Sequence, residues 1–165
     1  MRRIMSTKEL VLCVTLGAAA LTVRSLNLVA VVLPPFKLDP RWIFSLLAAS
    51  WTGPFGGFIS GLLAGLPSEH HLDIFPASVT HFIIGFICRN LKLGWKGILL
   101  WPVFGVPAWI LTFYIFFPAT IIKGGWIVVA AVTFIGVVSS ISTTVIAALI
   151  QKRYGPLLKQ YGLVD

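Results

Sequence analysis

The side chains able to do chemistry are few: five carboxylates, three histidines, two cysteines and thirteen Lys/Arg among 165 residues. The densest polar cluster is Glu69-His70-His71 with Asp73. Adjacent histidines point in different directions on a helix and on a strand alike, so this pair makes a poor bidentate metal site. The spacing is not HExxH, and no further carboxylate motif follows. A solvated loop, a ligand contact and a metal site remain the three readings of the cluster. His81 lies in an apolar run with Ser78 and Thr80 nearby. At membrane depth a histidine either closes a hydrogen bond inside the bundle or marks a site. Arg24 also falls in an apolar run, with Asn27 one turn on and on the same face. Such a cation either snorkels to the interface or helps bind a polar group. Lys37, Asp39 and Arg41 follow Pro34-Pro35 and form either a solvated loop or a lid whose cations meet an anionic group. Trp109 and Tyr114 could stack on a flat ligand or simply pack.

Catalysis finds little support. No Ser/His/Asp spacing, nucleophile elbow, Gly-rich nucleotide loop or metal motif is present, and no carboxylate lies deep in an apolar run. The expectation is a protein that is not an enzyme and carries no cofactor or metal. Cys13 and Cys88, in apolar segments without CxxC or Cys/His spacing, read as small buried apolar residues.

The elements that must hold these residues are membrane helices. With 58% apolar and 11% charged residues and a mean hydropathy of +0.95, the chain cannot cover a soluble surface. The net charge of +8 gathers at the ends of apolar runs rather than along a polar stripe, which argues for membrane orientation and against nucleic acid. Apolar runs occupy 10–33, 42–66, 74–88, 97–121 and 126–150. Arg2-Arg3, the run from Leu10 and Ala18-Ala19-Ala20 together imitate a signal peptide. The run resumes at Leu26, however, so 9–33 is read as a first helix.

Five simple crossings would leave most Lys/Arg of the loops and tails outside, against the usual bias. Folding the second run back at Trp51-Thr52-Gly53-Pro54 reverses this. Nine basic residues (Arg2, Arg3, Lys8, Arg89, Lys92, Lys96, Lys152, Arg153, Lys159) then lie inside and three (Lys37, Arg41, Lys123) outside. Gly53-Pro54 suits such a turn, because proline donates no hydrogen bond and disfavours helix in the residue before it. A rival in which 42–66 crosses once and 74–88 only dips into the membrane gives the same count. The expected fold is an all-α membrane protein, a single-domain compact bundle of six transmembrane helices near 9–33, 42–52, 54–66, 74–88, 97–121 and 126–150. Helices 2 and 3 are short, and both termini are cytoplasmic. Close packing is expected on the stripe Gly53, Gly57, Gly61, Gly65 and on Gly136, Ser140, Thr144, Ala148. The first helix has its own small-residue patch, Thr15, Gly17, Ala18, Ala19 and Ala20.

Phe36-Lys37-Leu38-Asp39, the apolar stretch ending in Gly53-Pro54, and Gly57, Gly61 and Gly65 together resemble the S-components of energy-coupling factor (ECF) vitamin transporters. The stretch from His81 to Ile87, followed by Arg89 and Lys92, is similar to the fourth helix of those proteins. The resemblance implies six helices, a substrate pocket in the outer half closed by the loop after helix 1, and energy from a transmembrane T-protein with two ABC-type ATPases. It makes Pro34 to Arg41 the lid and places His81 on a pocket-lining helix. The family docks through an alanine-xxx-alanine pattern on helix 1. No two alanines stand four apart there in this chain, and the patch Thr15, Gly17 to Ala20 takes that place.

The expected function is therefore the substrate-binding subunit of an ECF-type importer in the cell membrane, taking up a vitamin or similar small solute. Arg24, Asn27, Lys37, Asp39, His81, Trp109 and Tyr114 are the expected substrate contacts. The outer cations and aromatics suggest a ligand with an anionic or polar end and a flat part. An ATP-independent channel using the glycine-rich hairpin, or a metal-dependent membrane enzyme, is the alternative.

Overall fold

Ser6 opens the first helix. Its hydroxyl accepts from Glu9 N (3.2 Å) and the Glu9 carboxylate accepts in return from Ser6 N (2.7 Å), a reciprocal cap that satisfies two otherwise orphaned donors. The computed structural model describes residues 5–26, 28, 30–33, 36–66, 74–116 and 118–164. Helix α1 spans Thr7–Ser25. It stops short of the expected residue 33, because the β-branched stretch that follows favours extended backbone. Strands β1 (Ala30–Leu33) and β2 (Phe36–Leu38) pair there as a small antiparallel hairpin. Every other described element is helical: α2 Pro40–Gly65, α3 Ile74–Arg89, α4 Trp95–Ile98, α5 Trp101–Phe116 and α6 Pro118–Gln160.

Helix α2 is broken at Gly53, whose φ of 81° and ψ of −162° only glycine adopts without strain. The two halves fold back on one another. Ser60 Oγ reaches Ser45 O (3.2 Å), and Arg41 Nη1 donates to Ala64 O (3.2 Å) across the open end of the hairpin. Helix α3 then lies antiparallel on the second half. A Cβ on Gly61 would stand 2.6 Å from Ala77 O, one on Gly57 would run into His81 O, and one on Gly85 into Gly53 O. Glycines four apart thus meet Ala77, His81 and Gly85, also four apart, with backbone against backbone. Because the second run doubles back, the rival with a single crossing over 42–66 does not describe this structure.

By length and composition alone, three helical segments can cross a membrane: Pro40–Gly65, which is the one folded back at Gly53, Trp95–Thr112 and Lys123–Gln160. The expected count of six crossing helices is therefore not met among the described residues. Helix α1 has 19 residues and carries Lys8, Glu9 and Arg24, and the apolar helix α3 has only 16. The fifth segment begins as the separate turn α4. The last helix runs beyond the expected 150 to Gln160, with an internal break at Gly125 (φ 58°).

One end of the bundle collects the basic residues. There Arg89 Nη1 pairs with Glu9 Oε1 (2.8 Å) and lies 3.0 Å from Thr52 O, joining the start of α1, the hairpin tip and the end of α3. Lys8 Nζ donates to Gly162 O (3.2 Å), and Lys152 lies 5.4 Å from the Trp95 ring centroid. The hydrophobic core runs through Ile43, Leu46, Leu47, Ile84, Ile98 and Ala147.

Candidate functional site

His81 is fully buried at the middle of α3, and two indole rings lie against it. The Trp42 ring stacks on it with centroids 5.6 Å apart and planes at 24°; Trp101 lies at 5.9 Å, tilted 56°. Trp42 and Trp101 are 6.0 Å from each other. His81 Nδ1 is 2.7 Å from Ala77 O, a group that can only accept, so Nδ1 carries a hydrogen. Nε2 lies 2.9 Å from Ser45 Oγ, whose hydroxyl donates to it when the ring is neutral. Both ring nitrogens are therefore engaged inside the protein. This places His81 among the structural hydrogen bonds of the bundle as well as on the wall of a cleft.

The cleft is lined by Trp42, Pro76, Ala77, Thr80, His81, Trp101, Gly105 and Trp109. From His81 it runs along α3 away from the basic end. Its two faces come from helical spacing: Trp101, Gly105 and Trp109 lie four apart on α5, and Ala77 and His81 lie four apart on α3. The cavity measures about 40 Å³, whereas small-molecule sites commonly enclose about 300 Å³ or more. A vitamin-sized solute therefore requires a wall to move. Helix α5 is the wall least held by protein, since no residue from Pro102 to Thr112 is buried and Pro107 interrupts its hydrogen bonding.

Of the expected substrate contacts, His81 and Trp109 line this cleft. Tyr114 is 53% exposed and not part of it. Arg24 sits half-buried in the last turn of α1, at the favourable end of the helix dipole and outside the lining. Lys37 stands in β2, paired with Val31. Asp39 caps α2: its carboxylate accepts from Arg41 N (3.2 Å) and from Arg41 Nε (2.6 Å). Arg41 is buried and covers the Trp42 face at 4.1 Å. The expected loop cations thus include one already neutralised by its own neighbour. Asp39→Ala is expected to lower stability by more than the ~1 kcal/mol of a lost cap, because it also removes the carboxylate paired with buried Arg41, measured as a drop in melting temperature in detergent. Asn27 and the cluster Glu69, His70, His71 and Asp73 lie outside the described residues.

The small-residue patch of α1 divides between two faces, because successive residues turn about 100° around a helix. Gly17 and Ala20 face inward, and a Cβ on Gly17 would stand 2.5 Å from Leu63 Cδ1. Thr15 and Ala18 are exposed, and Ala19 is half-buried.

Sequence reasoning missed Trp42, Ser45 and Trp101 as parts of the site. The available signal was the four-residue spacing Trp101-Gly105-Trp109. Among the described residues, no group of three or more His, Cys, Asp or Glu could hold a metal ion. Comparison with protein families, with curated proteins and with solved structures finds no match for this chain.

Proposed function

We propose that this chain is the substrate-binding membrane subunit of an ECF-type importer, capturing a flat vitamin-like solute for uptake driven by a transmembrane T-protein and two ABC-type ATPases. The observation that carries this reading is the cleft of three tryptophans around His81, set away from the basic end of the bundle. Basic loops favour the cytoplasmic side, so the cleft belongs to the outer half and both chain ends to the cytoplasm. The hairpin β1–β2 follows α1, where the resemblance puts the lid, and β2 lies against α6. The facilitator built on the glycine-rich hairpin is the weaker reading, because Gly57 and Gly61 are covered by the backbone of α3 and Gly53 by the Arg89 side chain, so they cannot line a pore.

The test is a mild-detergent pull-down of the tagged protein from its native membranes, with partners identified by mass spectrometry. Recovery of one larger membrane protein together with ABC-type ATPases is the expected result. A clean chain that conducts solute into liposomes without ATP would overturn the assignment. Ala18→Trp, on the exposed face of α1, is expected to abolish co-purification of the ATPases while leaving the melting temperature unchanged. For solute binding, Trp109→Ala is expected to weaken affinity about tenfold, equivalent to about 1.4 kcal/mol, and Arg24→Ala to leave it unchanged. Equal effects of the two would count against the cleft.

A further inference from the structure

We propose that the cleft selects an uncharged, flat ring compound carrying a hydrogen-bond acceptor, which it recognises through the indole N–H of Trp101. This rests on the substrate-binding reading and names the chemistry of what that site takes.

Trp101 is 8% exposed, and its Nε1 is buried with no hydrogen-bond partner among the described residues. A buried donor left unmade is costly, and proteins pair nearly all of them. The indole edge carrying Nε1 lies over Gly105, where a Cβ would be only 3.3 Å from that nitrogen. Gly105 is itself part of the cleft wall. With only hydrogen at this position, no side chain of residue 105 covers that edge, so a movement of α5 can bring the buried N–H to a ligand.

The hydroxyl and imidazole groups of the wall have partners. Thr80 Oγ1 donates to Pro76 O (2.7 Å) and lies 3.2 Å from Ala77 O, while both His81 nitrogens are engaged. No lining residue carries a formal charge with His81 neutral. The nearest described cation, Arg41, lies against the Trp42 ring, paired with Asp39 at 2.6 Å and donating to Ala64 O. An anionic ligand would thus meet a cation already matched, and a cationic ligand would meet no carboxylate in the wall. Burying either charge without a counter-charge is unfavourable. A neutral ring stacked on indole faces, with a carbonyl or ring nitrogen toward Trp101 Nε1, uses each feature present. Trp109, 37% exposed, is the part of the wall that can swing to admit it.

The experiment titrates the purified full chain in mild detergent with four probes sharing one ring: benzamide, benzoate, benzyltrimethylammonium and toluene. Tryptophan fluorescence reports binding. Benzamide is expected to bind about tenfold tighter than toluene or benzoate, the increment of one good hydrogen bond. Trp101→Phe keeps a ring and removes the N–H; it should bring benzamide down to the toluene affinity and leave toluene unchanged. Gly105→Val should eliminate binding of both by filling the cleft, with size-exclusion elution unchanged to show that the chain remains folded. Equal affinity for benzamide and toluene, insensitivity of benzamide to Trp101→Phe, or tightest binding of the ammonium probe would each overturn the proposal. The last result would mean that the aromatic faces select a cation. Failure of the importer reading is scored separately by the pull-down. ATPases recovered without a benzamide preference overturn only the ligand class, and the preference without ATPases overturns only the importer.

Discussion

Gly57→Ala is expected to destabilise the folded chain by about 3 kcal/mol, the upper range for overpacking, and to lower the melting temperature by about 6–12 °C at this chain length. The added methyl would run into His81 O, which is helix backbone and cannot rotate away. Relief requires α3 to separate from the second half of α2, opening the same contact at Gly53–Gly85 and Gly61–Ala77. Since His81 itself moves, ligand binding should fall together with stability. Gly136→Ala is the matched control. Its Cβ would meet Trp109 at 3.4 Å, ordinary contact, and its effect should stay within about 0.5 kcal/mol. Thermal unfolding in one detergent measures both. Identical melting of Gly57→Ala and the parent would show that the two helices do not meet through their backbones.

Arg89→Ala is expected to have a comparable effect by a different route. Glu9 is 2% exposed and Arg89 28% exposed on their side chains, so removing the guanidinium strands a carboxylate that water cannot reach. Breaking a buried pair from one side costs about 3–5 kcal/mol. The loss should exceed that of Glu9→Gln, because Arg89 reaches solvent and keeps its bond to Thr52 O. The double variant Glu9→Gln with Arg89→Gln should be more stable than Arg89→Ala alone, since no charge is then left buried. Urea unfolding of the four proteins in detergent tests this ordering. If Arg89→Ala is the mildest of the three variants, the contact is a surface pair of little weight.

The membrane class was legible from composition alone, because a charge content of 11% leaves too few polar side chains to face water. Punctuation was legible where chemistry is local: Pro54 removes a donor, and Gly53 and Gly125 take positive φ. The number of crossing helices was not. Hydropathy counts apolar residues without seeing that the run after Ser25 leaves the helix for a hairpin; the fold-back of the second run was legible only through the charge count and Gly53-Pro54.

The site divides in the same way. An isolated histidine in an apolar run declares itself, because its ring must find hydrogen bonds wherever it is buried. Trp42 and Trp101 do not: each stands near the start of an apolar run and carries no local sign of the ring it will meet. Arg41 reads as a cation for a ligand, although the carboxylate that neutralises it stands two residues earlier. By itself the sequence determined the solvent the chain prefers, the positions where helices must break and the end that gathers positive charge, all consequences of single residues or their near neighbours. Only the tertiary structure decided that Trp42, His81 and Trp101 form one wall, because such contacts depend on how the α2 hairpin lays its glycine face on α3. No local pattern encodes that meeting of residues 20 to 59 positions apart.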